Sequence, residues 1–138
     1  MNGDLNIYNN AQLTNVSGLS GLQSVSGYLN IQSNAALTNV NGFASLQTIG
    51  TNGVSGGYLQ IYGNGTLTNV NGFAALTSVA GYVYLYGNPA LTNLTGFSAL
   101  QTIGGYLTIY ANAALTSITG LIFPTGALTQ LGGGISIT

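Results

Sequence analysis

Residues 57–64 read GYLQIYGN, residues 81–88 GYVYLYGN and residues 105–112 GYLTIYAN. A catalytic motif is needed once. A stretch that returns every 24 residues is a unit of construction, and whatever it displays is displayed again at each return. Extended in both directions, the interval divides the chain into repeats at 3–26, 27–50, 57–80, 81–104 and 105–132, with a partial strand at 133–138. An insert, TNGVSG, lies at 51–56, and the fifth repeat carries extra residues around IFPTG. Residues 1–138 read as a single repeat domain.

Each column of the repeat has a physical reading. Leu29, Leu59, Val83 and Leu107 alternate with polar residues and pair with Ile31, Ile61, Leu85 and Ile109, the period-two pattern of a strand with one buried face. Further along run Leu37, Leu67, Leu91 and Leu115, then Val40, Val70, Leu94 and Ile118. Phe43, Phe73 and Phe97, flanked by Leu19 and Leu121, form an aromatic column, and two more aliphatic columns complete the turn. One repeat cannot bury seven inward groups alone, but a stack of repeats can, because each ladder packs on the next. No 3.6-residue periodicity interrupts the pattern. The expected fold is all-β, a β-solenoid of about five 24-residue coils.

Two glycine columns, Gly18, Gly42, Gly72, Gly96, Gly120 and Gly27, Gly57, Gly81, Gly105, fall where a coil must turn, and are expected to supply positive φ there. Asn10, Asn34, Asn64, Asn88 and Asn112 follow the strands and are expected to form a buried ladder at a turn.

The pattern G-Y-L-x-I-x-x-N-x-x-L-T-x-V-x-G-F-x-x-L-x-x-I-G resembles the leucine-rich-repeat-like coil of receptor L domains, found in growth-factor and insulin receptors and in fungal and bacterial surface proteins. The resemblance runs over about residues 3–137. It implies a right-handed β-solenoid in an extracellular or cell-surface protein, binding or structural and without catalysis.

Composition narrows the function classes. Charged residues are 1% of the chain, against roughly 25% in an ordinary soluble domain, and there is no Lys, Arg, His or Cys. Without a basic patch there is no phosphate-driven nucleic-acid binding. No apolar run approaches the ~20 residues of a membrane span, so membrane insertion is not expected. The start, MNGDLNIYNN, lacks a signal-peptide pattern, which suggests a removed leader or a segment of a longer chain. General acid–base chemistry and hydroxyl nucleophiles need a base, and Asp4 is the single acidic group. No enzyme activity, cofactor or metal is expected.

What remains is surface. All nine tyrosines are expected on the outward side of the first strand: Tyr28, Tyr58, Tyr82 and Tyr106 in one column, Tyr8, Tyr62, Tyr86 and Tyr110 in another, and Tyr84 between them. Such a face could dock a second copy of the chain or stack on sugar rings. A second ladder, Thr14, Thr38, Thr68, Thr92 and Thr116, sits in L-T-[NS] steps expected to be very short strands, and could order water as an ice-binding surface. Sequons occur at Asn15, Asn64 and Asn93, of which Asn15 and Asn93 could carry glycan. Near-zero charge favours association, and uncapped strands at GDLNIY and GISIT invite end-to-end pairing. The leading expectation is an extracellular structural module, a filament subunit or adhesin. Ice binding and carbohydrate binding are the alternatives.

Overall fold

The computed structural model describes residues 1–51, 56–121 and 130–138, with Gln130, Leu131 and Ile135 described by their backbone alone. The chain forms strands β1 (Leu5–Tyr8), β2 (Ser24–Val25), β3 (Leu29–Gln32), β4 (Thr48–Ile49), β5 (Leu59–Tyr62), β6 (Ser78–Val79), β7 (Val83–Tyr86), β8 (Thr102–Ile103), β9 (Leu107–Tyr110), β10 (Gln130–Leu131) and β11 (Ile135–Ile137). The odd-numbered strands make one parallel sheet in the order β1-β3-β5-β7-β9-β11, and the even-numbered ones a second, β10-β8-β6-β4-β2. Between them the chain passes through single 3-10 turns, at Asn41–Phe43, Asn71–Phe73 and Thr95–Phe97 in the middle repeats. Among the described residues there is no α-helix. This is an all-β, β-solenoid-like arrangement of parallel strands in stacked sheets. The extra residues at IFPTG, and Asn52–Ser55 of the insert, lie outside the described residues.

The register follows the repeat residue for residue: Leu29 lies beside Leu59, Leu59 beside Val83, and Val83 beside Leu107. The inward columns become the core. In the second repeat Leu29, Ile31, Leu37, Val40, Phe43, Leu46 and Ile49 are all fully buried, and the same seven positions are buried in the third and fourth. Phe43, Phe73 and Phe97 stack through the middle with centroids 5.3 and 5.6 Å apart. Three members of the expected columns differ, of which Leu19 and Leu115 are partly buried. Ile118, in the fifth repeat, is 39% exposed.

The asparagine ladder exists. Asn34, Asn64 and Asn88 are fully buried and Asn112 nearly so, while Asn10, at the edge of the stack, is exposed. Each buried amide oxygen accepts the backbone N–H of the asparagine in the neighbouring repeat: Asn34 donates to Asn64 at 3.0 Å, Asn64 to Asn88 at 3.1 Å, and Asn88 to Asn112 at 3.0 Å. Each amide nitrogen bonds a carbonyl across the gap, Asn64 Nδ2 to Ile31 O at 3.0 Å and Asn88 Nδ2 to Ile61 O at 3.0 Å. The ladder does not supply the left-handed turn. That conformation falls on the residue before it, at Asn9, Ser33, Gly63, Gly87 and Ala111, with φ between 53° and 66°. The asparagine is there to satisfy buried backbone groups, which cost more left unpaired than a paired bond gains.

The glycine columns also have a different cause from the one expected. None of Gly18, Gly42, Gly72, Gly96, Gly120, Gly27, Gly57, Gly81 and Gly105 has positive φ. A Cβ on Gly42 would fall on the carbonyl oxygen of Val16, on Gly72 on that of Val40, on Gly96 on that of Val70, and on Gly120 on that of Leu94. The column is glycine because each 3-10 turn rests on the backbone of the previous repeat. At the insert, Gly50 (φ 80°) and Gly57 touch through their backbones, a contact that a side chain on either would break.

Two substitutions test this account by urea unfolding. Gly72→Ala is expected to cost about 1–3 kcal/mol through forced backbone displacement, whereas Gly65→Ala, which faces open space at ordinary φ, should shift stability by less than about 0.5 kcal/mol. Asn64→Leu orphans Asn34 N–H and Ile31 C=O and should cost at least about 2 kcal/mol.

Candidate interaction face

The outward residues of the six-stranded sheet fall into three rows. Pairing places Asn6, Asn30, Gln60, Tyr84 and Thr108 in one, and Tyr8, Gln32, Tyr62, Tyr86 and Tyr110 in another. The third row precedes the strands. Leu5 N–H bonds Tyr28 O, Leu29 N–H bonds Tyr58 O, Leu59 N–H bonds Tyr82 O and Val83 N–H bonds Tyr106 O, which sets these tyrosines side by side along the stack. Tyr is suited to all three rows, since it packs well on a pleated surface and keeps a polar tip in water.

The rings do not simply point outward. Tyr28, Tyr58 and Tyr82 form a face-to-face stack with centroids 4.5 Å apart and interplanar angles of 2° and 5°. Parallel strands lie ~4.7–4.9 Å apart, so the backbone spacing itself holds the rings close to contact. In the other row Tyr86 stacks on Tyr110 at 5.2 Å and 3°, while Tyr62 meets Tyr86 at 6.3 Å with a 39° tilt. Tyr84 meets Tyr86 at 5.9 Å and joins the rows. Tyr8 is cut off by Gln32 and is 55% exposed. Tyr106, 65% exposed, has no ring partner among the described residues. Five of the nine tyrosines, Tyr28, Tyr58, Tyr82, Tyr86 and Tyr110, therefore turn a ring face to a neighbouring ring.

Where the stack would take another ring beyond Tyr28, the chain has Asp4. Its carboxylate accepts the Tyr28 backbone N–H at 3.1 Å, and Asn6 Nδ2 donates to the Tyr28 hydroxyl at 3.0 Å. Burial in the middle of the stack pushes the Tyr58 phenol up to about 12 from its ordinary value near 10, helped by the neighbouring Tyr82 and Tyr28 hydroxyls and by Asp4. Tyr82 is raised as well, by burial.

The threonine column has another geometry. Thr14, Thr38, Thr68, Thr92 and Thr116 are exposed at the surface, but the L-T-[NS] steps are not strands; one isolated bridge, Asn93 to Ser117, occurs there. Each repeat exchanges one backbone bond at this point, such as Thr68 N–H to Thr38 O at 3.1 Å. The next asparagine then folds back on the chain. Asn15, Asn39, Asn69 and Asn93 each accept the backbone N–H two residues on, at 3.1–3.2 Å. The threonine hydroxyls are also engaged: Thr68 Oγ1 donates to Thr38 O at 3.1 Å and accepts from Asn69 Nδ2 at 3.2 Å, and Thr92 repeats the arrangement. A hydroxyl already bonded on both sides has little left with which to hold a water lattice. Sequence reading did not recognise these asparagine turns. The signal was the N-x-[NST]-G spacing, which recurs in the first four repeats.

The sequons separate. Asn64 is fully buried in the ladder. Asn15 and Asn93 lie at the surface turns, each accepting the hydroxyl two residues on, Ser17 at 2.7 Å and Thr95 at 2.6 Å.

The family model of the receptor L domain matches residues 1–70. No curated protein and no solved structure matches the chain. The matched stretch holds Tyr8, Tyr28, Tyr58 and Tyr62; the other five tyrosines lie beyond it.

Because Tyr58 is harder to ionise in the folded chain than in the unfolded one, its contribution to stability is complete below about pH 10 and is lost as pH rises through about 12. Unfolding midpoints followed with pH should be flat to about 10 and then fall, and Tyr58→Phe should shallow that fall.

Proposed function

This chain belongs to the receptor L domain family, and from that premise we propose that it is a non-catalytic extracellular module that works by contact, laying its tyrosine-rich face on a second copy of itself. Receptor L domains are extracellular, ligand-binding domains of receptors rather than enzymes, and among the described residues no helix is long and apolar enough to cross a membrane. The observation that carries the reading is the uncharged ring-and-amide surface. Three rows of Tyr, Asn and Gln share one sheet, with Asp4 as the lone formal charge on it. Aromatic rings that are already stacked give up little side-chain entropy when a partner covers them. A surface with one charge offers no like-charge repulsion against its own copy.

The finer form of this reading is a right-handed solenoid of five coils, secreted or held at the cell surface, whose copies also join along the sheet direction into filaments. Parallel, in-register strand pairing along the sheet is the contact that such growth would repeat. Lateral packing through the tyrosine rows would then bind filaments into fibres or an adhesive surface layer. Glycan on Asn15 and Asn93 would sit on the side turns and leave the tyrosine rows uncovered.

Sedimentation velocity and electron microscopy across the micromolar range test the proposal. Association should grow with concentration, persist in high salt because no ion pairs hold it, and be abolished by the double substitution Tyr62→Glu, Tyr86→Glu. A chain that stays monomeric at every concentration sinks it.

A further inference from the structure

The row Tyr28, Tyr58, Tyr82, Tyr106 has a break in it. The first three rings are stacked, and the backbone of Tyr106 continues the row in register through its carbonyl bond to Val83. Its ring does not continue the stack. It lies instead against the glycine backbone of the following strand: a Cβ on Gly133 would come within 2.9 Å of the Tyr106 ring, and one on Gly134 within 3.8 Å. Glycines in both places leave room for the ring to lean that way. As a result Tyr82 is 38% exposed and Tyr106 65% exposed, whereas Tyr28 and Tyr58 inside the stack are half-buried. Elsewhere in this row Tyr58 carries a ring on each face, and Tyr28 has Tyr58 on one side and Asp4 at the next position on the other. Among the described residues no ring stacks on the Tyr106 side of Tyr82, and none stacks on Tyr106 itself.

We propose that this break is a binding subsite for one neutral pyranose ring, stacked on Tyr82 and edged by Tyr106. The chemistry around it favours a sugar over other flat ligands. The polar groups within the neighbouring positions are uncharged hydroxyls: those of Tyr82, Tyr84 and Tyr106, and that of Thr108, which pairs beside Tyr84 and whose side chain has no hydrogen-bond partner among the described residues. Hydroxyls that both donate and accept match the hydroxyls of a sugar, while the ring faces match its C–H face. The one acidic side chain, Asp4, is in the first repeat, and there is no basic side chain to hold a phosphate, a sulfate or a uronic acid. The stacked part of the row is less suited, because Tyr58 carries a ring on each face and the position beyond Tyr28 holds the charged Asp4. The subsite thus sits at the break in the row, away from Tyr62, whose ring meets that of Tyr86. It goes beyond the self-association reading and does not rest on it.

The test uses the whole chain at a concentration where sedimentation shows monomer, so that the two proposals fail separately. The probes are cellohexaose and the hexamer of N-acetylglucosamine, with hexagalacturonate and indole as controls, read by saturation-transfer NMR and calorimetry. At least one neutral hexamer should bind. Tyr82→Ala and Tyr106→Ala should each weaken it about tenfold, the loss of one ring stack. Tyr82→Phe should keep most of the affinity, and Tyr62→Ala should leave it unchanged. Unfolding midpoints check that each variant is folded. The proposal is overturned if neither neutral hexamer binds at millimolar concentration. It is equally overturned if indole binds in their place, or if Tyr62→Ala costs as much as Tyr82→Ala.

Discussion

The buried amide ladder is the contact on which the other features rest. At the end of each strand of the broad sheet the chain must leave the sheet, and the peptide groups there face inward, away from water. Asn34, Asn64 and Asn88 meet them from both sides, taking a backbone N–H from one neighbour and giving to a backbone carbonyl of the same neighbour. That fixes where every strand ends relative to the one beside it. With the strand ends fixed, the tyrosine at the fourth position of one strand has no choice but to lie beside the fourth position of the next. The outer surface is ordered because the inner turn is.

Much of this was legible in the residues. Period-two alternation and the 24-residue interval determine which side chains face in, and the fully buried column from Leu29 to Ile49 follows them without exception. Parallel pairing in register follows from the same interval. The asparagine ladder was readable because a polar residue recurring at an inward position has to be paired. What could not be read were distances between backbones. Gly72 and a positive-φ glycine are the same letter; only the approach of the Val40 carbonyl tells them apart. The threonine column shows the same limit. Thr68 and Thr92 look like free surface hydroxyls in the sequence, and their bonds to the preceding repeat appear only once the repeats are laid on each other. Ring faces are the third case: the repeat gives the strand position of each tyrosine, but says nothing of whether a ring shows its face or its edge.

That last distinction matters for function. A tyrosine edge with its hydroxyl is a shallow, hydrated feature suited to broad packing against another flat surface. A free tyrosine face is a local and selective one. This molecule presents both, the first along most of the sheet and the second where Tyr106 leaves the row. The lack of charge removes the usual long-range attraction of a partner, so the association proposed for this face would rest on close fit, begin slowly and be indifferent to ionic strength.

The insert at 51–56 lengthens one interval to 30 residues without disturbing the stack: Leu29 still lies beside Leu59, and Asn34 still bonds Asn64. The reason is at its feet, where Gly50 and Gly57 touch. A segment whose two ends already meet is closed off from the winding of the chain, and lengthening it costs only the slow logarithmic growth of loop entropy. The contact between these two glycines therefore acts as a port. Sequence can be loaded there, by drift or by an engineer grafting a loop or a whole domain, while the repeats on either side keep their count.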